Sequence, residues 1–439
     1  EYIRVNISNP TWVAAKVTVY WKAGFNPYSY FGNPNSGISF YSTGERKLFI
    51  LGGIAGNVKT ADTDHFDDTI VIHEYGHFLE DVYAKQDSPG GSHDGDFIID
   101  PRLAWSEGWA NFFQSAVITN WDNNTNTYVA NANTTRGKYY LDTVGFSSDP
   151  GESGESGYTY IAFNLAESGR TATVDRVMAS GEGTFREISV SRTLYKTVSD
   201  TTAAPVYGAS IPFLAIWTVF TSTVNGFRNP SLYLRNIGLF NYYLNSEINT
   251  NHAAKVAGWN SIVSNEYQNL TTTDYSDSVS WSAVCAKYDK SLTPVPDSTP
   301  STSAYPRSEK QKSNDFYLYY YDGSSTEKLE LTYSQLVGGK TVDLDLVVYQ
   351  MDHDYYEQYA ENAGAQASDY GVVGRSARTY PTIESGYETL NFTGKPAGYY
   401  LINVKAYTYG KLAATFGGTA GYKLELTRNS TKRYLCPQN

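Results

Sequence analysis

The sequence predicts an α+β chain: a short N-terminal β-sheet, a mainly helical body, and a small C-terminal β-sandwich. Three observations carry this. Residues 1 to about 60 read as β, helix-spaced apolar runs occupy about 66 to 270, and short alternating strands return from Asn314 onward. Residues 287–313 (KYDKSLTPVPDSTPSTSAYPRSEKQKS) hold Pro, Ser and Thr and little that packs, so they read as a linker. The expected units are 1–286, the linker 287–313, and 314–439.

In the first part, Ala15–Trp21 alternates, and Ile38–Tyr41 and Lys47–Leu51 flank a turn at Thr43-Gly44-Glu45, which reads as a hairpin. Asp67 and Asp68 then precede Thr69-Ile70-Val71-Ile72-His73-Glu74-Tyr75-Gly76-His77-Phe78-Leu79-Glu80, and acidic residues favour a helix N-terminus there. A loop of Gly, Ser, Asp and Pro follows. A second helix is expected from about Arg102 through Trp105, Glu107, Trp109 and Phe113. Later helices are expected near 157–168, 184–198, 211–224, 229–244 and 251–268. In the last part, Phe316–Tyr319, Lys328–Tyr333, Val342–Tyr349, Tyr399–Val404 and Tyr422–Leu426 read as sandwich strands.

The composition excludes some partners. The net charge is -11, and an acidic surface repels phosphate backbones, so nucleic acid is not expected. No run of apolar residues is long enough for a membrane-spanning helix. Charged residues are only 18% and tyrosines number 39, a surface that suits an extracellular protein. The opening EYIRVNISNP reads as a start from which a leader has been removed, although a trimmed chain would read the same. Cys285 and Cys436 are compatible with one disulfide and equally with two thiols.

His73-Glu74-Tyr75-Gly76-His77 carries the chemistry. Residues four apart share a helix face, so both imidazoles reach one ion. Glu74, one step round the helix, stands beside a metal-activated water as general base. Catalytic zinc usually takes three protein ligands and keeps one open position. A third histidine in the pattern HExxHxxGxxH would fall at Tyr83, with Glu80 where glycine is needed, so that pattern is not met. Glu107 is the preferred third ligand, because a carboxylate within Trp105-Ser106-Glu107-Gly108-Trp109 is costly to bury without a cation. His93, Asp96 and Asp100 are the competitors.

A histidine pair on one helix with a glutamate on the next resembles the gluzincin metallopeptidases, of which thermolysin is the best known. The resemblance covers roughly residues 45–270. It implies a zincin-like catalytic domain, bound Zn2+, a protein or peptide substrate and an endopeptidase activity. The family places an aspartate four residues after the glutamate to orient the first histidine; here that position is Asn111, a neutral substitute. The gap from His77 to Glu107 also exceeds thermolysin's. The resemblance further implies an edge strand that binds substrate, for which Lys47–Gly53 is the candidate. It implies an oxyanion donor too, for which Tyr160 leads, with Tyr158, His252 and His93 behind it.

Acidic clusters at Asp62/Asp64/Asp67/Asp68 and Asp94/Asp96/Asp100 make calcium the further candidate cation, with solvated loop charges the plainer reading. Residues 314–439 resemble the bacterial pre-peptidase C-terminal (PPC) domain, through Val342–Tyr349 and Pro396–Val404, which implies a secreted bacterial enzyme. A monomer is expected. An exopeptidase, a hydrolase of a non-peptide substrate and a non-catalytic surface-binding protein are the alternatives.

Overall fold

The computed structural model describes residues 1–30, 32, 34, 37–59, 61–91, 93, 99–146, 158–166, 183–199, 207–230, 232, 234–266, 268, 290–292, 314–334, 336–337, 340–341, 343–350, 372–376, 385–406 and 420–433. Cys285, Cys436, Asp94, Asp96 and most of the expected linker lie outside them. The chain mixes helices and strands, an α+β architecture.

The N-terminal part holds α1 (Tyr2–Asn6), β1 (Thr18–Tyr20), α2 (Pro27–Tyr30), β2 (Phe40–Ser42) and β3 (Lys47–Phe49). The uniformly β reading of this part is therefore corrected at α1 and α2. A helix as short as α1 has little stability of its own. Burial of Tyr2 holds it, with ring centroids 6.1 Å from Phe113 and 5.0 Å from Phe213. The hairpin forms as expected, with Phe40 opposite Phe49. Its turn places Arg46 at φ 55°. The sheet order is β1-β3-β2, so β3 pairs on both sides, parallel to β1 and antiparallel to β2. The expected edge strand at Lys47–Gly53 is corrected: its ordered strand is central, and β2 is an edge.

The body follows with α3 (Asp68–Tyr83), α4 (Pro101–Thr119), β4 (Trp121–Asp122), β5 (Thr127–Tyr128), α5 (Thr134–Gly137), β6 (Tyr139–Phe146) and β7 (Tyr158–Asn164). It ends with α6 (Glu187–Val198), α7 (Phe213–Thr221), α8 (Ile237–Asn251) and α9 (Val256–Asn265). The helix expected at 157–168 is corrected: Tyr158–Asn164 is a strand, antiparallel to β6 with Tyr140 opposite Phe163. Its Tyr-Thr-Tyr-Ile-Ala-Phe run is aromatic and β-branched, a strand composition.

Helix α4 is the centre of the fold and is buried almost all round. It packs against α3 on one side and α6 on another. Close approach is possible because Gly76 faces Ala110, whose Cα would lie 3.0 Å from a Cβ at position 76. The Trp109 indole then donates to the Gly76 carbonyl, 3.0 Å away. On its far side Trp109 stacks on Phe220 of α7 at 4.0 Å.

The C-terminal strands are β8 (Lys290–Leu292), β9 (Asn314–Tyr321), β10 (Glu327–Ser334), β11 (Leu336–Val337), β12 (Lys340–Thr341) and β13 (Leu344–Gln350). They continue with β14 (Val372–Ser376), β15 (Ser385–Asn391), β16 (Gly398–Ala406), β17 (Ala420–Arg428) and β18 (Thr431–Arg433). One antiparallel sheet runs β15-β10-β17-β18, and β8 also pairs with β17. The second runs β14-β13-β16-β9. Their inner faces share one core, including Tyr319, Leu331, Leu346, Ile402 and Leu424. The linker reading is corrected at Lys290–Leu292, which completes the first sheet. The outer face of the second sheet is also covered, because Phe316, Val347, Tyr349 and Leu401 pack with Phe185 and Leu234 of the helical body. Among the described residues, no helix is long and apolar enough to cross a membrane.

Candidate metal centre

Two helix starts aim the candidate ligands. The Asp67 carboxylate caps α3 by accepting from the Thr69 amide at 3.1 Å. Asp100 caps α4, accepting from the Arg102 amide at 2.9 Å, with Pro101 in the first turn. Asp100 also pairs with the buried Arg102 guanidinium at 2.7 Å. Its carboxylate is thus committed to the helix start, which removes it as a rival third ligand.

His73 and His77 face α4 from α3, and Glu107 faces α3 from α4. The two Nε2 atoms are 3.2 Å apart. Glu107 Oε2 lies 3.2 Å from His73 Nε2 and 3.3 Å from His77 Nε2. All three residues are buried, and their ligand atoms form a group able to hold one ion. Four ligands set tetrahedrally at about 2.0–2.1 Å from zinc stand about 3.3–3.4 Å from one another. The donor set and its near-equilateral spacing therefore fit zinc.

The outer partners orient one ring firmly. His77 Nδ1 lies 3.1 Å from Ser106 Oγ. That hydroxyl donates to Glu80 Oε2 at 2.6 Å and accepts from Gln86 Nε2 at 2.9 Å. Glu80 Oε1 accepts from the Trp105 indole at 2.8 Å. Because the Ser106 proton goes to Glu80, its oxygen accepts the His77 Nδ1–H, and Nε2 is left with its lone pair for an ion. Burial pushes the Glu80 carboxyl up to about 7.

His73 is held differently. Its Nδ1 is buried with no hydrogen-bond partner, and so is Asn111 Oδ1. The orienting bond expected from Asn111 is therefore not formed. The His73 ring is met by Tyr140 of β6, at 5.8 Å and edge-on.

Glu74 is also buried, at 6% exposure. Burial raises its carboxyl above the ordinary range, while His73 and His77 pull it back. For Glu107, burial acts upward, but His93 and His77 outweigh it and hold the carboxylate well below its usual value.

His93 approaches from the α3–α4 connection. Its Nε2 lies 3.6 Å from Glu107 Oε1, and its Nδ1 lies 2.7 Å from Glu187 Oε2 at the start of α6. Burial pulls the imidazole down, but Glu107 and Glu187 bring it up to about 10. Its side chain remains 30% exposed, so it borders both the centre and solvent.

The other expected donors lie on other elements. Tyr158 and Tyr160 are on β7, Tyr160 opposite Thr143. His252 caps the end of α8. Sequence reasoning missed Tyr140, Glu80, Ser106 and Glu187. A signal existed for Glu80, which lies three residues after His77 on the ligand face of α3, whereas Ser106, one residue before Glu107, had no such spacing signal.

No family model matches the chain. A protein of Archaeoglobus fulgidus, described as an uncharacterized protein, is 40% identical over 63 residues, 13% of this chain and 18% of that protein. The chain thus matches less than a fifth of that relative's length. The periplasmic inhibitor of g-type lysozyme PliG from Aeromonas hydrophila is 14% identical at a TM-score of 0.17, over 34% of this chain and 88% of that one. A family 35 carbohydrate binding module from an environmental isolate is 12% identical at 0.18, over 36% and 94%. At these TM-scores neither likeness bears on fold or function.

Proposed function

We propose that the chain is a zinc-dependent endopeptidase of gluzincin type, with His73, His77 and Glu107 as ligands and Glu74 as general base. The observation that carries this reading is the triangle of His73 Nε2, His77 Nε2 and Glu107 Oε2, with sides of 3.2–3.3 Å. Zinc, when bound, supplies Lewis acidity toward water and the scissile carbonyl.

The chain's own residues supply the rest. Glu74 takes the proton of the attacking water and passes it to the leaving amine nitrogen. His93, held by Glu187 and partly open to solvent, donates its ring N–H to the carbonyl oxygen as charge builds there. We assign this role to His93 over Tyr160 because His93 borders the triangle directly. We place an extended peptide along β2, the edge strand that lies against α3 and whose Tyr41 backbone hydrogen-bonds Glu74. The two C-terminal sheets form an accessory PPC-like sandwich, and the low charge supports action outside the cell.

The test is zinc content and casein cleavage by the full chain. Glu74→Gln keeps one zinc per chain and loses cleavage by about 10²-fold or more. A Glu74→Gln chain that cleaves like wild type, or a Glu107→Gln chain that holds zinc as tightly, refutes the assignment.

A further inference from the structure

A second group of acids lies beside the metal centre. Asp62 and Asp64 are in the segment before α3, Asp142 is on β6, and one oxygen of each lies within 4.8 Å of the others. Asp62 Oδ1, Asp64 Oδ1 and Asp142 Oδ1 are all buried and meet no donor from outside the cluster, within which the Asp62 and Asp64 carboxyls come within hydrogen-bonding reach of each other. Asp64 is only 3% exposed. Its other oxygen is used, accepting from Ser39 Oγ, which itself accepts from the Leu51 amide at 2.9 Å. The bare oxygen is therefore the one left for the cluster.

The surrounding bonds hold the acids together in spite of their repulsion. The Thr143 amide donates to Asp67 Oδ2 at 3.0 Å, and Thr69 Oγ1 donates to the Leu141 carbonyl. The hairpin is thus tied to the start of α3 on both sides of Asp142. The Asp64 amide is tied to the Leu51 carbonyl at 2.9 Å. Asp67, with both oxygens committed to Thr69 and Thr143, is not part of the cluster, and Asp68 opens α3. Among the described residues, no lysine or arginine forms an ion pair with Asp62, Asp64 or Asp142.

We propose that Asp62, Asp64 and Asp142 form a calcium site that fastens the β6–β7 hairpin to the N-terminus of the helix carrying His73 and His77. Only oxygen is offered, which suits a hard cation. Oxygens bound to one calcium at about 2.3–2.6 Å can stand up to about 5 Å apart, a span that admits the observed spacing. The site also has a consequence for the neighbouring centre. Tyr140, two residues before Asp142 and so on the same face of β6, is the ring that meets His73.

The test uses the full chain dialysed into calcium-free buffer with zinc kept present. Equilibrium dialysis with radioactive calcium is expected to show one saturable calcium per chain, weakly competed by magnesium. Terbium is expected to bind in its place, with luminescence excited through nearby aromatic rings and quenched by added calcium. Asp64→Asn and Asp142→Asn each remove one charge and with it two of the three pairwise repulsions. In calcium-free buffer they are expected to melt no lower than wild type, yet with no response to calcium and unchanged zinc content. Absence of saturable calcium at millimolar concentration overturns the site and means that the acids share protons instead. Calcium binding that survives both substitutions overturns it as well. Neither result touches the zinc assignment, which is read by zinc content and cleavage.

Discussion

Ser106 Oγ lies 3.1 Å from His77 Nδ1 while giving its own proton to Glu80, so one hydroxyl fixes the tautomer of one ligand. Ser106→Ala removes that acceptor and leaves Glu80 with one donor fewer. Loss of such an outer partner costs about 10–100-fold in metal affinity. A competition titration with a chromophoric zinc chelator is expected to show this weakening. Asn111→Ala is the contrast: Asn111 Oδ1 makes no bond to His73, so zinc affinity stays much closer to wild type. Equal losses in the two variants would show that the tautomer argument is wrong.

His93 stands between Glu107 and Glu187, and the proposed role is in turnover. His93→Ala is expected to lower kcat by about 10²–10³-fold, the usual cost of one oxyanion donor, with a smaller change in KM. Glu187→Gln, which leaves His93 in place but loosens its 2.7 Å contact, is expected to give a smaller loss with the same split. Zinc content should stay at one per chain in both. If His93→Ala instead loses zinc and keeps normal activity per bound zinc, His93 supports the ligand set and not the transition state.

Helix α6 reaches the centre only because α4 has no side chain at Gly108. A Cβ there would lie 2.5 Å from Val190 Cβ and Cγ1 and 2.9 Å from the Glu187 carbonyl oxygen. Gly108→Ala therefore pushes α6 outward and carries Glu187 away from His93. The expected cost is about 1–3 kcal/mol of stability, as for other overpacked cores. A fall in kcat like that of Glu187→Gln should accompany it. Gly44→Ala, with nothing within 4 Å of the added carbon, is the control and should change neither quantity. Normal turnover in Gly108→Ala would separate α6 from the chemistry.

The sequence made the near-linear parts of the site legible. His73, Glu74 and His77 share one capped helix, and spacing alone puts them on its face. Glu107 was found by an energetic argument, the cost of a carboxylate among tryptophans, and it does meet both imidazoles. Long-range pairing was not legible. Nothing local says that β3 lies between β1 and β2, so from sequence alone the middle strand reads as an edge. Tyr158–Asn164 reads as helix in the sequence because its apolar residues also fit a helical stripe and nothing local reveals its partner β6. Without β6, neither Tyr140 nor the meeting of Asp142 with Asp62 and Asp64 was visible. The sandwich strands were found with useful accuracy. The run Leu346-Val347-Val348-Tyr349 is apolar on both faces, because one face meets the first sheet and the other meets Phe185 and Leu234.

The buried acid at the end of α9 fixes α6 from the opposite side. Glu266 is fully buried and bonds Arg192 Nη2 at 2.9 Å, Lys196 Nζ at 2.5 Å and Ser189 Oγ at 3.1 Å. Burial acts to raise its carboxyl, but Arg192 and Lys196 outweigh this and hold it below the ordinary value. A carboxylate with a depressed folded value contributes stability that is present above its unfolded value, about 4.3, and is lost as pH falls through the folded one. Glu266→Gln leaves two buried cations uncompensated and is expected to cost about 3–5 kcal/mol at pH 7. The variant's deficit in urea unfolding should then shrink as pH drops below about 4, where wild type loses the same charge. Because α6 carries Glu187, the variant should also turn over more slowly at neutral pH. A deficit that stays constant from pH 7 to pH 3 would show that Glu266 acts through packing and not through its charge.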